Sequence, residues 1–272
     1  AFIDCTTGRR VTFSKALIAS LILSEKFRKY DEGFLGIMIP TSAGSALSSL
    51  GALMSGRTPV MINYSTGAAN NAKYAQEKCG FKTIITSKGL LEKINCPFVD
   101  GMVFIEDIMA GISFIDKLKT ALISKLPANI ILKRIHDGSE DDNIVILFTS
   151  GSEKAPKAVQ LTHRNLSSNI KSFSDVYNLS GEDRMLANLP YFHVFGLTVN
   201  LWTPIYHGMT IICYSNPLDY KTIVNIIREE KPTMMVGTPS FLWGYLRASE
   251  PGDFTSLRYV VSGADKCPDT LR

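Results

Sequence analysis

The 272-residue sequence has no uninterrupted apolar run of about 18 or more residues, the length a helix needs to span a bilayer, so no transmembrane segment is expected. Its first residues show no signal-peptide pattern. The five cysteines, Cys5, Cys79, Cys96, Cys213 and Cys267, are odd in number, scattered and without CxxC spacing. That argues against a disulfide framework or a zinc site, and reduced thiols of a cytosolic protein are the simplest reading. The four histidines, His136, His163, His193 and His207, form no HExxH or other ligand cluster. Neither sign of charge dominates, since 29 Lys+Arg against 25 Asp+Glu leave a formal net charge of +4. Without a basic stripe interleaved with aromatics, nucleic acid is not an expected partner, whereas an anionic ligand or an acidic protein is compatible. Repeats and low-complexity tracts are also missing. What remains, 45% hydrophobic and 20% charged residues, is the composition of a globular protein with one large domain or two smaller ones.

Short apolar runs alternate with longer amphipathic stretches. Phe34–Ile39, Thr58–Ile62, Lys82–Thr86 and Met102–Ile105 read as strands, with helices over Ser42–Met54 and Ala68–Lys78 between them. Further on, strands are expected at Ile144–Phe148, Met185–Asn188, Thr210–Tyr214, Thr233–Val236 and Arg258–Val261. Helices are expected at Arg164–Val176, Tyr220–Glu230 and Ser240–Ala248. This rhythm predicts an α/β fold of two βα subdomains with mostly parallel sheets, residues 1–140 and 141–272, divided at the polar cluster Asp137–Asp142. Between them, Ile115, Leu118, Leu122 and Leu126 recur at helical spacing among Lys117, Lys119 and Lys125, in a connector helix near residues 112–126. Such a basic amphipathic helix can lie on an anionic membrane surface; a surface helix with its stripe on the core is the plainer alternative.

The most informative segment is Thr149-Ser150-Gly151-Ser152-Glu153-Lys154-Ala155-Pro156-Lys157-Ala158, directly after an apolar strand. Hydroxyls, backbone N–H groups and a lysine leaving the carboxyl end of a strand are what polyphosphate recognition needs. Pro156 stands where a Walker A loop wants Gly-Lys-Ser/Thr, and no dinucleotide fingerprint is present. Alone, the segment reads equally well as a polar turn.

Later segments change that balance. The loop resembles the Thr-Ser-Gly-[Ser/Thr]-x-Gly-x-Pro-Lys-Gly signature of the adenylate-forming superfamily, and Val159–Leu166 matches its continuation. Leu189-Pro190-Tyr191-Phe192-His193-Val194-Phe195-Gly196 looks like its second motif, and Gly237-Thr238-Pro239-Ser240-Phe241-Leu242 like its third. Val260–Lys266 looks like the start of its adenine-binding segment. Gly56–Tyr64, Asn216–Tyr220 and Asp253–Phe254 add similarity to one branch, the bacterial acyl-[acyl-carrier-protein] synthetases, usually fused to a 2-acylglycerophosphoethanolamine acyltransferase. The likeness runs from Asp4 to Arg272 and is weakest over Asp107–Ile135. Lys154 and Ala158 depart from the pattern, standing where glycine is usual. If position 154 needs a left-handed backbone, a non-glycine residue there costs roughly 1–2 kcal/mol.

The resemblance implies that a fatty acid is activated with ATP and Mg²⁺ as an acyl adenylate, then passed to the phosphopantetheine thiol of acyl carrier protein, with CoA as the alternative acceptor. It implies that Thr149, Ser150, Gly151, Ser152 and Lys157 hold the β- and γ-phosphates, Thr149 also lying close to the metal, while Lys154, where the pattern has glycine, would add positive charge beside them. Lys157 and His193 would be the catalytic pair, His193 beside the α-phosphate and the acyl carboxylate. Phe192, Gly196, Thr238 and Phe241 would line the acyl site, and Gly263, Ala264 and Asp265 would pass under the adenine. For His193 a capped core histidine, for Phe241 core packing, and for residues 263–265 a strand-ending turn are the competing readings. The family's downstream glutamate, ribose-binding aspartate and catalytic lysine have no counterpart before Arg272, so a truncated, inactive fragment is expected. A cytoplasmic protein, peripheral on the inner face of the bacterial inner membrane, fits this reading. A non-catalytic nucleotide- or acyl-binding module is the competing class.

Overall fold

In the computed structural model, residues 1–149 and 155–271 are described. Their strands are β1 (Phe2–Asp4), β2 (Arg9–Val11), β3 (Gly33–Met38), β4 (Arg57–Met61), β5 (Ile84–Thr86), β6 (Met102–Phe104), β7 (Asn143–Phe148), β8 (Ala158–Thr162), β9 (Arg184–Ala187), β10 (Thr210–Cys213), β11 (Met234–Gly237) and β12 (Tyr259–Ser262). They form two six-stranded sheets, ordered β12-β11-β9-β10-β1-β2 and β6-β5-β3-β4-β7-β8. All neighbouring strands are parallel except β1–β2 and β7–β8. The α/β class with mostly parallel sheets is as expected from the sequence.

The chain divides into one unit of Ala1–Val11, Thr41–Ala43 and Ser168–Arg272, and another of Thr12–Pro40 and Gly44–Ser167. The expected division at residues 140/141 differs for two reasons. β7 pairs with β4 through Val60 and Ile146, which draws residues 143–162 into the sheet of the preceding subdomain. β1 pairs with β10, Ile3 opposite Ile212, which draws the first residues into the later one. Both pairings join segments remote in sequence, and local periodicity carries no sign of them.

Within the 12–40/44–167 unit, Met38, Val60, Ala72, Ile84, Leu90 and Ile146 form the core of one sheet face. The helix Ala68–Cys79 places Ala72 and Ala75 on it and stops at Gly80, which is left-handed at φ 69° as a helix C-terminal glycine commonly is. A helix not foreseen, Phe13–Phe27, starts at Thr12, whose hydroxyl accepts from Lys15 N–H at 3.3 Å. Its core face includes Ser20 and Ser24 beside Leu23 and Phe27, which blurs the hydrophobic period.

The connector contains three helices, Ile105–Ala110, Phe114–Ile123 and Ala128–Leu132. Phe114–Ile123 opens with a capping box, Ser113 and Asp116 exchanging side-chain and backbone bonds. Ile112, Thr120 and Ile123 are buried, whereas Ile115, Leu118, Leu122 and Leu126 face solvent. The core-facing reading of that stripe is therefore replaced: the helix docks by its opposite face.

Among the described residues no helix is long and apolar enough to cross a membrane, and all five cysteines are free thiols.

Candidate functional site

In the unit of residues 12–40 and 44–167, β7 leads into the proposed phosphate loop and β8 leads out, so the loop joins an antiparallel pair. Ser150, Gly151, Ser152 and Lys154 lie outside the described residues. The two ends of the loop are described. Thr149 N–H donates to Lys157 C=O at 3.0 Å, and Lys157 N–H donates to the Thr149 hydroxyl oxygen at 3.3 Å. This reciprocal pair closes the neck and leaves both side chains exposed at the carboxyl end of β7. Pro156 is held as well: its carbonyl accepts from the Tyr74 hydroxyl at 2.6 Å, while the Tyr74 ring meets Phe148 edge-on at 5.8 Å. Tyr74 lies on the helix Ala68–Cys79 and has no place in the signature, so sequence reasoning passed over it.

The other unit gathers the remaining motifs at one edge of its sheet. β9, β11 and β12 are consecutive neighbours and parallel, so their carboxyl ends point the same way. Asn188–Gly196 follows β9, Thr238–Leu242 follows β11, and Gly263–Asp265 follows β12. Gly237 and Ser262 are register partners, and Gly263 N–H donates to Gly237 C=O at 3.0 Å. Phe195 closes the group from the side of β9. A Cβ on Gly263 would stand 2.8 Å from the tip of its ring, which would have to swing aside, so glycine favours this approach. Gly196 is required more strictly, because a Cβ there would overlap the Pro190 carbonyl oxygen of the backbone. Open α/β sheets bind ligands at this end of their strands.

The segment after β9 is fixed at Leu189. Its N–H donates to Asn200 Oδ1 at 3.2 Å and its carbonyl accepts from the Thr41 hydroxyl at 3.0 Å. Asn200, fully buried, spends its other arm on Leu186 C=O at 3.1 Å. It sits in a π-helix, Gly196–Trp202, a rare form that is frequent at functional sites. Neither Asn200 nor Thr41 was given a role from the motifs, although an Asn in the mostly apolar run Leu197–Trp202 is a visible signal. Beyond Leu189, Phe192 is buried while His193 projects to solvent, its ring 4.5 Å from the Phe192 ring. His193 N–H donates to Pro190 C=O at 3.2 Å. Partial desolvation by these neighbours lowers the imidazole pKa below the ordinary histidine value, which favours the neutral ring, able both to donate and to accept.

The other candidates have partners of their own. Thr238 caps the helix Pro239–Ala248, its Oγ1 accepting from Phe241 N–H at 3.5 Å and lying 2.9 Å from Ser240 Oγ. Phe241 packs against two core clusters, around Leu186 and Ile223 and around Met185 and Val236. Ala264 adopts a left-handed φ of 65°, unusual for a residue with a Cβ, and Asp265 Oδ1 accepts from Lys266 N–H at 2.7 Å. The left-handed alanine and the 263–237 bond make this segment a built turn rather than a frayed strand end.

The family model of AMP-binding enzymes matches residues 1–272, and the chain belongs to that family. The acyl-CoA ligase sidI of Aspergillus fumigatus is 33% identical over 142 residues, covering 51% of this chain and 24% of that protein. The mitochondrial medium-chain acyl-CoA ligase ACSF2 of Rattus norvegicus is 26% identical over 286 residues, covering 93% of this chain and 46% of that protein. The chain thus spans about a quarter to a half of the length of these curated relatives. Among solved structures, the O-succinylbenzoate coenzyme A synthetase of Bacillus subtilis in complex with AMP superposes with a TM-score of 0.80 at 20% identity, covering 100% of this chain and 65% of that one. The fold is that of the N-terminal part of adenylate-forming ligases.

Proposed function

We propose that the chain supplies the nucleotide- and acyl-binding surfaces of an ATP-dependent acid–thiol ligase. The observation that carries this reading is the convergence of three motif segments on the carboxyl ends of β9, β11 and β12. In the reaction, a fatty acid carboxylate oxygen attacks the α-phosphorus of ATP and expels pyrophosphate. A thiol then forms the thioester and releases AMP. The first step brings two anions together, so positive and dipolar groups lower its barrier. Lys157 and the loop hydroxyls and N–H groups of residues 149–154 would hold the β- and γ-phosphates. The exposed Thr149 hydroxyl is a hard oxygen donor of the kind Mg²⁺ accepts alongside phosphate oxygens and water, and bound metal would neutralise phosphate charge. Neutral His193 would hydrogen-bond the α-phosphate or the acyl carboxylate. Phe192, Gly196, Thr238 and Phe241 would border the acyl group, and Gly263, Ala264 and Asp265 the adenine.

The thiol is assigned to acyl carrier protein from the branch likeness, with phospholipid reacylation at the inner face of the bacterial inner membrane as the setting. CoA is the second reading, favoured because the similar curated proteins are named acyl-CoA ligases. Calorimetric titration with ATP tests the nucleotide half. Lys157→Ala is expected to weaken binding by about ten- to a hundredfold, the loss of one hydrogen bond to a charged group. Absence of ATP binding by the unsubstituted chain overturns the proposal. Offering the natural protein holo-acyl carrier protein and CoA in parallel decides between the thiols.

A further inference from the structure

The connector between β6 and β7 presents apolar side chains to water on a scale the rest of its unit does not need. Phe114 is 77% exposed, Ile115 75%, Leu122 61% and Leu118 52%. At about 100° per residue, these four fall within one arc of about 100° on the helix Phe114–Ile123. Lys117 and Lys119 fall on the two flanks of that arc, and both are exposed. Thr120 and Ile123, which anchor the helix to its own unit, occupy the opposite side, where Lys26 Nζ also meets Asp116 Oδ2 at 3.1 Å. Leu126 and Leu132 continue the exposed apolar surface into the next short helix.

Charge is concentrated here as well. From Ser113 to Arg134 the cations are Lys117, Lys119, Lys125, Lys133 and Arg134, and the single acid, Asp116, is the one already paired with Lys26. The surplus of four equals the formal net charge of the whole chain, +4, so the remainder is balanced. An apolar arc edged by lysines on a helix held firmly from behind is suited to the boundary between lipid headgroups and acyl chains.

We propose that residues 113–134 are a membrane-docking surface, with an anionic phospholipid bilayer as its occupant. Phe114, Ile115, Leu118 and Leu122 enter the acyl boundary while Lys117, Lys119 and Lys125 meet headgroup phosphates. This extends the lipid side of the proposed ligase function but does not depend on nucleotide binding. A fatty acid is supplied from a bilayer, so a ligase docked there meets its substrate where it is concentrated.

Vesicle co-sedimentation without nucleotide tests it, using phosphatidylcholine vesicles with and without phosphatidylglycerol. The chain is expected to bind the anionic vesicles, to be released by salt, and to bind pure phosphatidylcholine about fivefold more weakly or more, the equivalent of at least one lost lysine contact. Leu118→Glu/Leu122→Glu should abolish binding, and Lys117→Gln/Lys119→Gln should weaken it roughly tenfold or more. Both sites are exposed, and unchanged thermal melts with unchanged ATP titration would separate loss of docking from loss of fold or of the ligase reading. Vesicle binding that is absent, or unaffected by either double substitution, overturns the proposal. So does a lipid-independent dimer, seen by sedimentation velocity, that Leu118→Glu/Leu122→Glu dissolves, because the surface would then be covered by a second copy.

Discussion

Replacing Tyr74 by phenylalanine removes one hydroxyl and leaves the ring. That hydroxyl donates to the Pro156 carbonyl at 2.6 Å, the ring meets Phe148 at 5.8 Å, and Pro156 is one residue before Lys157. A net intramolecular hydrogen bond is worth about 0.5–1.5 kcal/mol. Because the site is part-buried, water can replace some of the lost bond, and the stability loss should stay within that range. If the bond also preorganises the loop neck for phosphate, the same energy reappears as about a two- to tenfold weaker ATP affinity. Tyr74→Ala removes the ring contact too and should cost more in stability without a further proportionate loss in ATP binding. Urea unfolding and calorimetric ATP titration of both variants provide the measurements. Tyr74→Phe with unchanged stability and unchanged ATP affinity would refute the reasoning.

Asn200→Ala should destabilise the protein by about 2–5 kcal/mol. It leaves the buried Leu189 N–H and Leu186 C=O without their 3.2 and 3.1 Å partner and opens a cavity. A urea-derived loss below about 1 kcal/mol would show that the exit from β9 is held by other means. The Asp253 carboxylate is gripped by Arg228 through two 2.8 Å bonds, and by Glu250 N–H, holding its pKa at about 2. A depressed folded pKa contributes stability that is present above the unfolded value of about 4 and lost as pH falls towards 2. Arg228→Met should lower the melting temperature at pH 7 and flatten its fall between about pH 4 and 2; parallel melting curves for both proteins would contradict this.

Strand and helix alternation was readable wherever an element is short, apolar and bounded by turn residues, as in β3, which ends at Met38 shortly before Pro40, or the helix stopped at Gly80. The element Phe13–Phe27 was not, since its apolar residues bunch at Leu21-Ile22-Leu23 while serines occupy core positions. β1, three residues long and ending in the buried Asp4, offers no period at all. At the candidate site the motifs single out Thr149, Lys157, His193 and Gly263 as candidates, and topology brings those of the later unit to adjacent strand ends. Tyr74, Thr41 and Asn200 stayed hidden because each acts through a backbone carbonyl or N–H of a residue remote in sequence, a relation no spacing rule encodes. The exposed face of Phe114–Ile123 was ambiguous for the opposite reason, as both sides of that helix carry apolar residues.

The insertion of β1 between β10 and β2 also bears on how the chain is made. Phe2, Ile3 and Asp4 find their parallel partners only at Ile211, Ile212 and Cys213. Closing so long a loop is slow, and during synthesis residues 12–167 leave the ribosome well before those partners exist. The unit built from that middle stretch can therefore condense first, while β1 has only its local antiparallel partner β2. Until residue 213 has emerged, β1 exposes an open strand edge, and this is the interval in which chaperone engagement or misassembly would concentrate.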